Sequence, residues 1–144
     1  MKFLIINGPN LNMLGIREPD IYGKNTYAQL CTLCEDACKD AGVECEIFQS
    51  NHEGVLVDRI QAAYQKIDGI VINPAAYTHT SVAILDALKA VGIPTVEVHI
   101  SKVSDRDAFR QISYVRAYAL RTIEGMGFDG YREAISWLAD KLKE

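Results

Sequence analysis

The sequence predicts an α/β fold, a three-layer sandwich around a five-stranded parallel sheet in the order 2-1-3-4-5. Three observations carry this. Strand-length apolar runs alternate with stretches of helical spacing along all 144 residues. Runs such as Phe3-Leu4-Ile5-Ile6 and Ile70-Val71-Ile72 are apolar without interruption, as strands buried on both faces are. Parallel strands joined through helices require right-handed crossovers, which leaves few strand orders open.

Taken in order, residues 2–7 read as the first strand. A long polar loop follows, and Thr26 is the candidate N-cap of a helix over 27–41 that Gly42 stops. Residues 43–49 alternate as a second strand. Residues 52–66 have helical spacing, with Leu56, Ile60, Ala63 and Tyr64 on one face. Residues 68–73 form a third, buried strand. Thr80 or Ser81 caps a helix over 82–91 that ends at Gly92. Residues 94–99 are the fourth strand, and 106–110 a short helix after a polar loop. Residues 118–124 read as a fifth strand with a helical alternative, and 128–142 as a closing helix. No repeat, low-complexity stretch or linker interrupts the series. Residues 1–144 are therefore expected to form one flavodoxin-like domain.

Composition narrows the function classes. Hydrophobic residues make up 49% and charged residues 24%, which is ordinary globular usage. A chain of this length buries roughly two-thirds of its unfolded surface, so folding requires no disulfide or metal. The net charge of −4 gives a nucleic-acid role no electrostatic support. The N-terminal apolar run is too short for a signal peptide or a membrane span, so a cytoplasmic protein is expected. Four cysteines stand at Cys31, Cys34, Cys38 and Cys45. "CTLCEDAC" has a zinc-ligand spacing, but it places three thiols on one helix face beside Leu30, Leu33 and Ala37, and no second ligand pair follows. Packing as small hydrophobes is the expected role.

In sheets of this order, ligands bind outside the carboxyl ends of the strands. Three polar clusters fall there: Asn10 with the loop after it, Asn73 to His79, and Glu97 to Ser101. "NPAAYTHTS" supplies an amide, a histidine and hydroxyls before a helix start, with Asp86 further along that helix. Taken alone, Asn73 reads equally well as a turn residue bonding its own backbone. In "VEVHIS", Glu97 and His99 alternate with Val96, Val98 and Ile100 and so point to one side of the strand. A carboxylate beside a histidine holds one tautomer and favours the imidazolium, a competent general acid near neutral pH. An edge strand wetting its polar face is the plainer alternative.

The loop "INGPNLNMLGIREPDIYG" is roughly three times the usual connector length of about 2–6 residues. It ends in Arg17 and Tyr22, with Pro19 between them. Tyrosine ionises near pH ~10, and a tyrosine base near neutrality needs a drop of ~3 units, or ~4 kcal/mol. A guanidinium at ~4 Å supplies about that at an effective dielectric of ~20. A solvent-exposed loop is the alternative. Arg106 and Arg110 stand one helical turn apart and, with the helix start after Thr80, make a candidate carboxylate site or else a solvated charged face.

Together and in this order, the strings "NGPNLNMLGIREPDIYG", "QSNHEG…DRIQ", "INPAAYTHTSVAILDAL", "VEVHIS", "R…FR…SYV" and "GFDGY" resemble type II 3-dehydroquinate dehydratase. They span residues 7–131. The resemblance implies a hydro-lyase of the shikimate route and of quinate breakdown, converting 3-dehydroquinate to 3-dehydroshikimate and water without metal or cofactor. It implies Tyr22 as base, Arg17 tuning it on a mobile lid over about 16–25, and Asn10 holding a water near the ketone. His99 becomes the acid and Glu97 its orienter. Asn73, His79 and Asp86 bind the ring hydroxyls and neighbouring groups. Ile100, Ser101 and Arg110 hold the carboxylate, with Arg106 in support. The family implies a homododecamer, a tetramer of trimers in which Asp86 reaches a neighbouring site. Lys102, Val103 and Ser104 stand where asparagine, an apolar residue and histidine are common. Gln111 and Ile112 replace a more basic or histidine-rich pair, Ala75 replaces a frequent glycine, and Arg116 and Glu124 replace small or apolar residues.

Two other classes fit the sequence less well. A flavodoxin-like module holding a nucleotide or flavin phosphate needs a Gly- or Ser/Thr-rich phosphate loop after the first strand, and "NGPNLNMLG" lacks that fingerprint. A phospho-receiver needs acids where Asn7 and Asn73 stand.

Overall fold

In the computed structural model, residues 1–16 and 25–144 are described. Five parallel strands form one sheet: β1 (Lys2–Asn7), β2 (Glu44–Gln49), β3 (Gly69–Asn73), β4 (Thr95–His99) and β5 (Arg121–Glu124). Their order is β2-β1-β3-β4-β5, as expected from the sequence. Among the described residues, four helices cover it: α1 (Tyr27–Asp40), α2 (Glu53–Ala62), α3 (Val82–Val91) and α4 (Asp129–Lys143).

Side-chain alternation sorts the core into two layers. Phe3, Ile5, Val71, Val96, Val98 and Ile123 pack against Leu30, Cys34 and Cys38 of α1 and against Tyr131, Ile135 and Leu138 of α4. Leu4, Ile6, Ile70 and Ile72 pack on the other side against Leu56 and Ile60 of α2 and Ile84 and Leu88 of α3. Cys34 and Cys38 are buried, while Cys31 and Cys45 are half-buried, as packing thiols should be. Burial pushes the Cys34 thiol up, and the Cys38 thiol up to about 12.

The caps explain the helix bounds. Thr26 Oγ1 accepts from Gln29 N at 3.2 Å and Gln29 Oε1 accepts from Thr26 N at 2.8 Å, a complete capping box. Ser81, not Thr80, caps α3, its Oγ accepting from Ile84 N at 2.9 Å. Gly92 ends that helix in the left-handed region at φ 67°.

Three sequence expectations need correction, and a fourth falls outside the described residues. α2 stops at Ala62, short of residue 66, in a turn where Gln65 takes φ 62°, and Tyr64 is 55% exposed rather than part of the buried face. Residues 106–110 do not form one helix: Arg106 is extended after a 3-10 turn at Val103–Asp105, and a second 3-10 turn covers Ala108–Arg110. The fifth strand is short because residues Val115–Ala117 form a 3-10 turn before it, with Tyr118 Oη donating to Ile93 O at 2.9 Å. Arg17, Tyr22 and most of the lid expected over 16–25 lie outside the described residues.

Candidate active site

The carboxyl ends of β1, β3 and β4 frame a cleft. It is lined by Pro9, Asn10, Leu11, Asn73, Ala75, Ala76, His79, His99, Ile100, Ser101, Val103, Arg106 and Arg110. The floor is narrow because β1 and β3 close tightly there. Gly8 N donates to Asn73 O at 2.8 Å, and a Cβ on Gly8 would stand 2.4 Å from Pro74 O. Only glycine permits that approach.

β4 supplies the chemistry. Glu97 is fully buried and His99 nearly so. His99 Nε2 meets Glu97 Oε2 at 2.5 Å, which leaves Nδ1 as the ring nitrogen available to the cleft. Three hydroxyls surround the carboxylate. Thr78 Oγ1 and Ser113 Oγ donate to Oε2 at 2.9 and 2.8 Å, and Thr122 Oγ1 donates to Oε1 at 3.1 Å. Thr122 lies opposite Glu97 in the β4–β5 register, so the sheet itself places it. Burial alone would raise the Glu97 carboxyl. The hydrogen bond and charge of His99, with the bonds from Ser113 and Thr78, outweigh burial and lower it to about 2. Glu97 is therefore an ionised acceptor at neutral pH. The edge-strand alternative is excluded, because β4 is buried along its whole length between β3 and β5.

Asn73 proves to be both a turn residue and a cleft residue. Its Oδ1 accepts from Ala75 N at 3.0 Å, and its Nδ2 donates to Tyr131 Oη at 2.9 Å. Ala75 itself takes φ 52°, a left-handed conformation that suits glycine better. Asn10 also lies in the left-handed region, at φ 70°. Its backbone N–H donates to Asn51 Oδ1 at 3.0 Å, and Gln49 Nε2 reaches both Asn51 Oδ1 and Gly8 O at 3.1 Å. The "QSN" stretch thus braces the turn that presents Asn10.

His79 Nδ1 lies 2.7 Å from Ile112 O, so Nδ1 carries the proton and donates. Burial lowers this imidazole below its ordinary value, and His99, Arg110 and Arg106 push the same way against the Ile112 bond. Neutral His79 thus offers Nε2 as an acceptor. Ile100, Ser101, Arg106 and Arg110 form the far wall, although not through a shared helix face. Arg110 Nε reaches Asp107 Oδ2 at 3.4 Å, and its guanidinium lies 5.0 Å from the Phe109 ring centre.

Not every expected residue joins the cleft. Asp86 is exposed on α3 and is absent from the lining, as is the α3 start expected to help bind a carboxylate. Lys102 is exposed and lies 3.8 Å from Asp105, and the Ser104 side chain lies outside the described ones. Sequence reasoning missed Thr78, Ser113, Thr122 and Tyr131. Thr122 was within reach, since a buried carboxylate in a strand calls for a donor on the neighbouring strand.

Comparisons with known proteins bear on the family and the fold. Residues 1–139 match the family described as Dehydroquinase class II. The 3-dehydroquinate dehydratase of Clostridium acetobutylicum is 51% identical over 144 residues, covering 100% of both chains. The catabolic 3-dehydroquinase 1 of Aspergillus terreus is 54% identical over 143 residues, 99% of this chain and 94% of that one. The crystal structure of type II dehydroquinase from Butyrivibrio crossotus superposes with a TM-score of 0.93 at 51% identity, over 100% of this chain and 98% of that one. With a family match over residues 1–139, relatives at 51–54% identity and a whole-chain superposition, the chain belongs to the class II dehydroquinase family.

Proposed function

We propose that this chain is a 3-dehydroquinate dehydratase, acting as one domain over residues 1–144. It eliminates water from 3-dehydroquinate to give 3-dehydroshikimate, a step of the shikimate route. The observation that carries this reading is the 2.5 Å contact between His99 Nε2 and the buried, ionised Glu97 at the cleft. That pair is built to deliver a proton from the other ring nitrogen.

The reaction proceeds in two proton steps. Tyr22, activated by Arg17, removes the proton alpha to the ketone, and the electron pair forms an enolate. Asn10 and its bound water stabilise the enolate oxygen. The enolate then re-forms the ketone and expels the beta hydroxyl, which leaves as water after taking a proton from His99. Glu97 holds the imidazole in place. Asn73 and neutral His79 Nε2 bind ring hydroxyls, with Asp86 serving a neighbouring group. Ile100, Ser101 and Arg110 hold the carboxylate, and Arg106 supports them. No step calls for a metal or a cofactor.

We further propose a homododecamer, a tetramer of trimers, in the cytoplasm. Phe109, Ile112 and Leu120 are 69%, 58% and 52% exposed, and such apolar side chains favour burial between subunits. Exposed Asp86, outside its own cleft, is free to face a neighbour's. No helix among the described residues is long and apolar enough to cross a membrane. A phosphate-binding module finds less support: β1 is followed by a 3-10 turn at Leu11–Met13 rather than a helix N-terminus opening on a phosphate.

The test is direct. Purified protein mixed with 3-dehydroquinate and a chelator should raise the absorbance of the conjugated enone, and no rise near neutral pH would overturn the reading. Tyr22→Phe should nearly abolish turnover while substrate still binds. A particle mass near that of one chain would refute the assembly.

A further inference from the structure

We propose that Ser113 is a positioning residue that joins the Glu97–His99 pair to the arm carrying Arg106 and Arg110. The proposal rests on the dehydratase reading of this cleft. Residues 102–114 form an arm that folds on itself. Gln111 Nε2 donates to Arg106 O at 3.1 Å, with longer contacts to Asp107 O at 3.3 Å and Val103 O at 3.4 Å. Arg106 N donates to Val103 O at 3.0 Å and Arg110 N to Asp107 O at 2.9 Å. Within a single subunit, apolar burial contributes little to placing the arm. Val103 is buried, but Phe109 and Ile112 are mostly exposed. Within the subunit, polar bonds at its C-terminal end therefore set its position.

Those bonds come from three consecutive residues. Ile112 O accepts from His79 Nδ1 at 2.7 Å, and Tyr114 N donates to Thr78 O at 2.8 Å. Between them, Ser113 Oγ lies 2.8 Å from Glu97 Oε2 and 2.6 Å from Thr78 Oγ1. It also accepts from Arg116 N at 3.2 Å. Of the three, Ser113 alone touches the carboxylate that orients the acid. A displacement of the arm, such as a bound carboxylate imposes through Arg110, therefore moves a donor on Glu97. Ser113 couples carboxylate binding to the geometry of proton delivery.

Four described residues hold the Glu97 carboxylate. His99 faces it from its own strand, Thr78 from the 3-10 turn at Ala75–His79, Ser113 from the arm and Thr122 from β5. Among the described residues, the charged or titratable groups on the cleft side of His99 are His79, Arg106 and Arg110. Thr122 is the internal control, because it bonds the same carboxylate but belongs to the sheet rather than to the arm.

The experiment compares Ser113→Ala, Ser113→Thr and Thr122→Val. Ser113→Ala should lower kcat and raise KM together, with kcat/KM down roughly ten- to hundredfold, as loss of a charge-assisted hydrogen bond allows. Thr122→Val should lower kcat and leave KM within about twofold. Ser113→Thr, which keeps the hydroxyl, should restore both constants. The second readout needs no turnover. The Glu97 carboxyl, followed by 13C NMR of glutamate-labelled protein and assigned with Glu97→Gln, should titrate about 1 unit higher in Ser113→Ala, because a donor to the charged form is gone. Unchanged constants in Ser113→Ala, or a fall in melting temperature alone with the carboxyl midpoint unmoved, would overturn the proposal. Absence of turnover in the unaltered protein would sink the dehydratase reading only, and an unmoved carboxyl titration would then sink the Ser113–Glu97 joint by itself.

Discussion

Tyr131 Oη donates to Asn7 Oδ1 at 2.6 Å across a separation of 124 residues, directly beneath the cleft. The same oxygen accepts from Asn73 Nδ2 at 2.9 Å, so a fully buried side chain of α4 ties the ends of β1 and β3 together. Asn7 Nδ2 in turn reaches Tyr27 Oη at 3.4 Å, at the start of α1. The network is satisfied from both ends in a low-dielectric site, where an unpaired member is costly.

Tyr131→Phe should therefore destabilise the fold although it removes one atom. It leaves an acceptor on Asn7 and a donor on Asn73 without their partner, at about 1–3 kcal/mol. Urea unfolding measures this, and a change within about 0.5 kcal/mol would show that the network relaxes or recruits water. Turnover should fall as well, because Asn73 loses the bond that aims its amide.

The second prediction concerns acid. Glu97 is held at about 2, below its ordinary 4.5, chiefly by His99 against the opposing effect of burial. A carboxyl depressed in the folded state stabilises the fold fully above its unfolded value. That contribution is lost as pH falls from about 4.5 towards about 2. Its size is on the order of 3 kcal/mol. Glu97→Gln should flatten the dependence of unfolding free energy on pH across this window. Equal slopes in the two proteins would place the acid sensitivity elsewhere.

The order of legibility follows from how local each signal is. The sheet was readable because uninterrupted apolar runs such as Phe3–Ile6 report burial on both faces of a strand. Glu97 and His99 were readable because a period of two places both on one side of β4. The arm was not, because its two 3-10 turns are held by the Gln111 side chain rather than by a repeating pattern. Thr78, Ser113 and Tyr131 were missed for a related reason. Each makes its contact across long sequence separations, and a lone hydroxyl in a sequence does not state which carboxylate or amide it will meet.

Ala75 offers a stabilising change. It holds φ 52° while its N–H donates to Asn73 Oδ1, so the turn is specified and the residue is strained in it. A left-handed alanine costs roughly 1–2 kcal/mol, and the greater unfolded-state entropy of glycine returns about 0.4–1 kcal/mol of that. Ala75→Gly should therefore raise stability by about 0.5–1 kcal/mol in chemical denaturation. A loss of stability would mean that the methyl group's packing at the cleft outweighs the strain.

Asn10 permits the backbone and the amide to be separated. Its φ of 70° is one that glycine adopts freely and alanine does not. The brace from Asn51 acts on the backbone N–H and so survives any substitution that keeps the turn. Asn10→Gly should thus leave the melting temperature within about 2 °C of the parent, whereas Asn10→Ala should lower it by several degrees, as about 1 kcal/mol of strain implies for a domain of this size. Both variants lose the amide proposed to hold a water beside the ketone, and both should lose turnover by roughly a hundredfold or more, the scale of one removed oxyanion donor. Full activity in Asn10→Gly would assign Asn10 to turn geometry alone and return the enolate to other donors in the cleft.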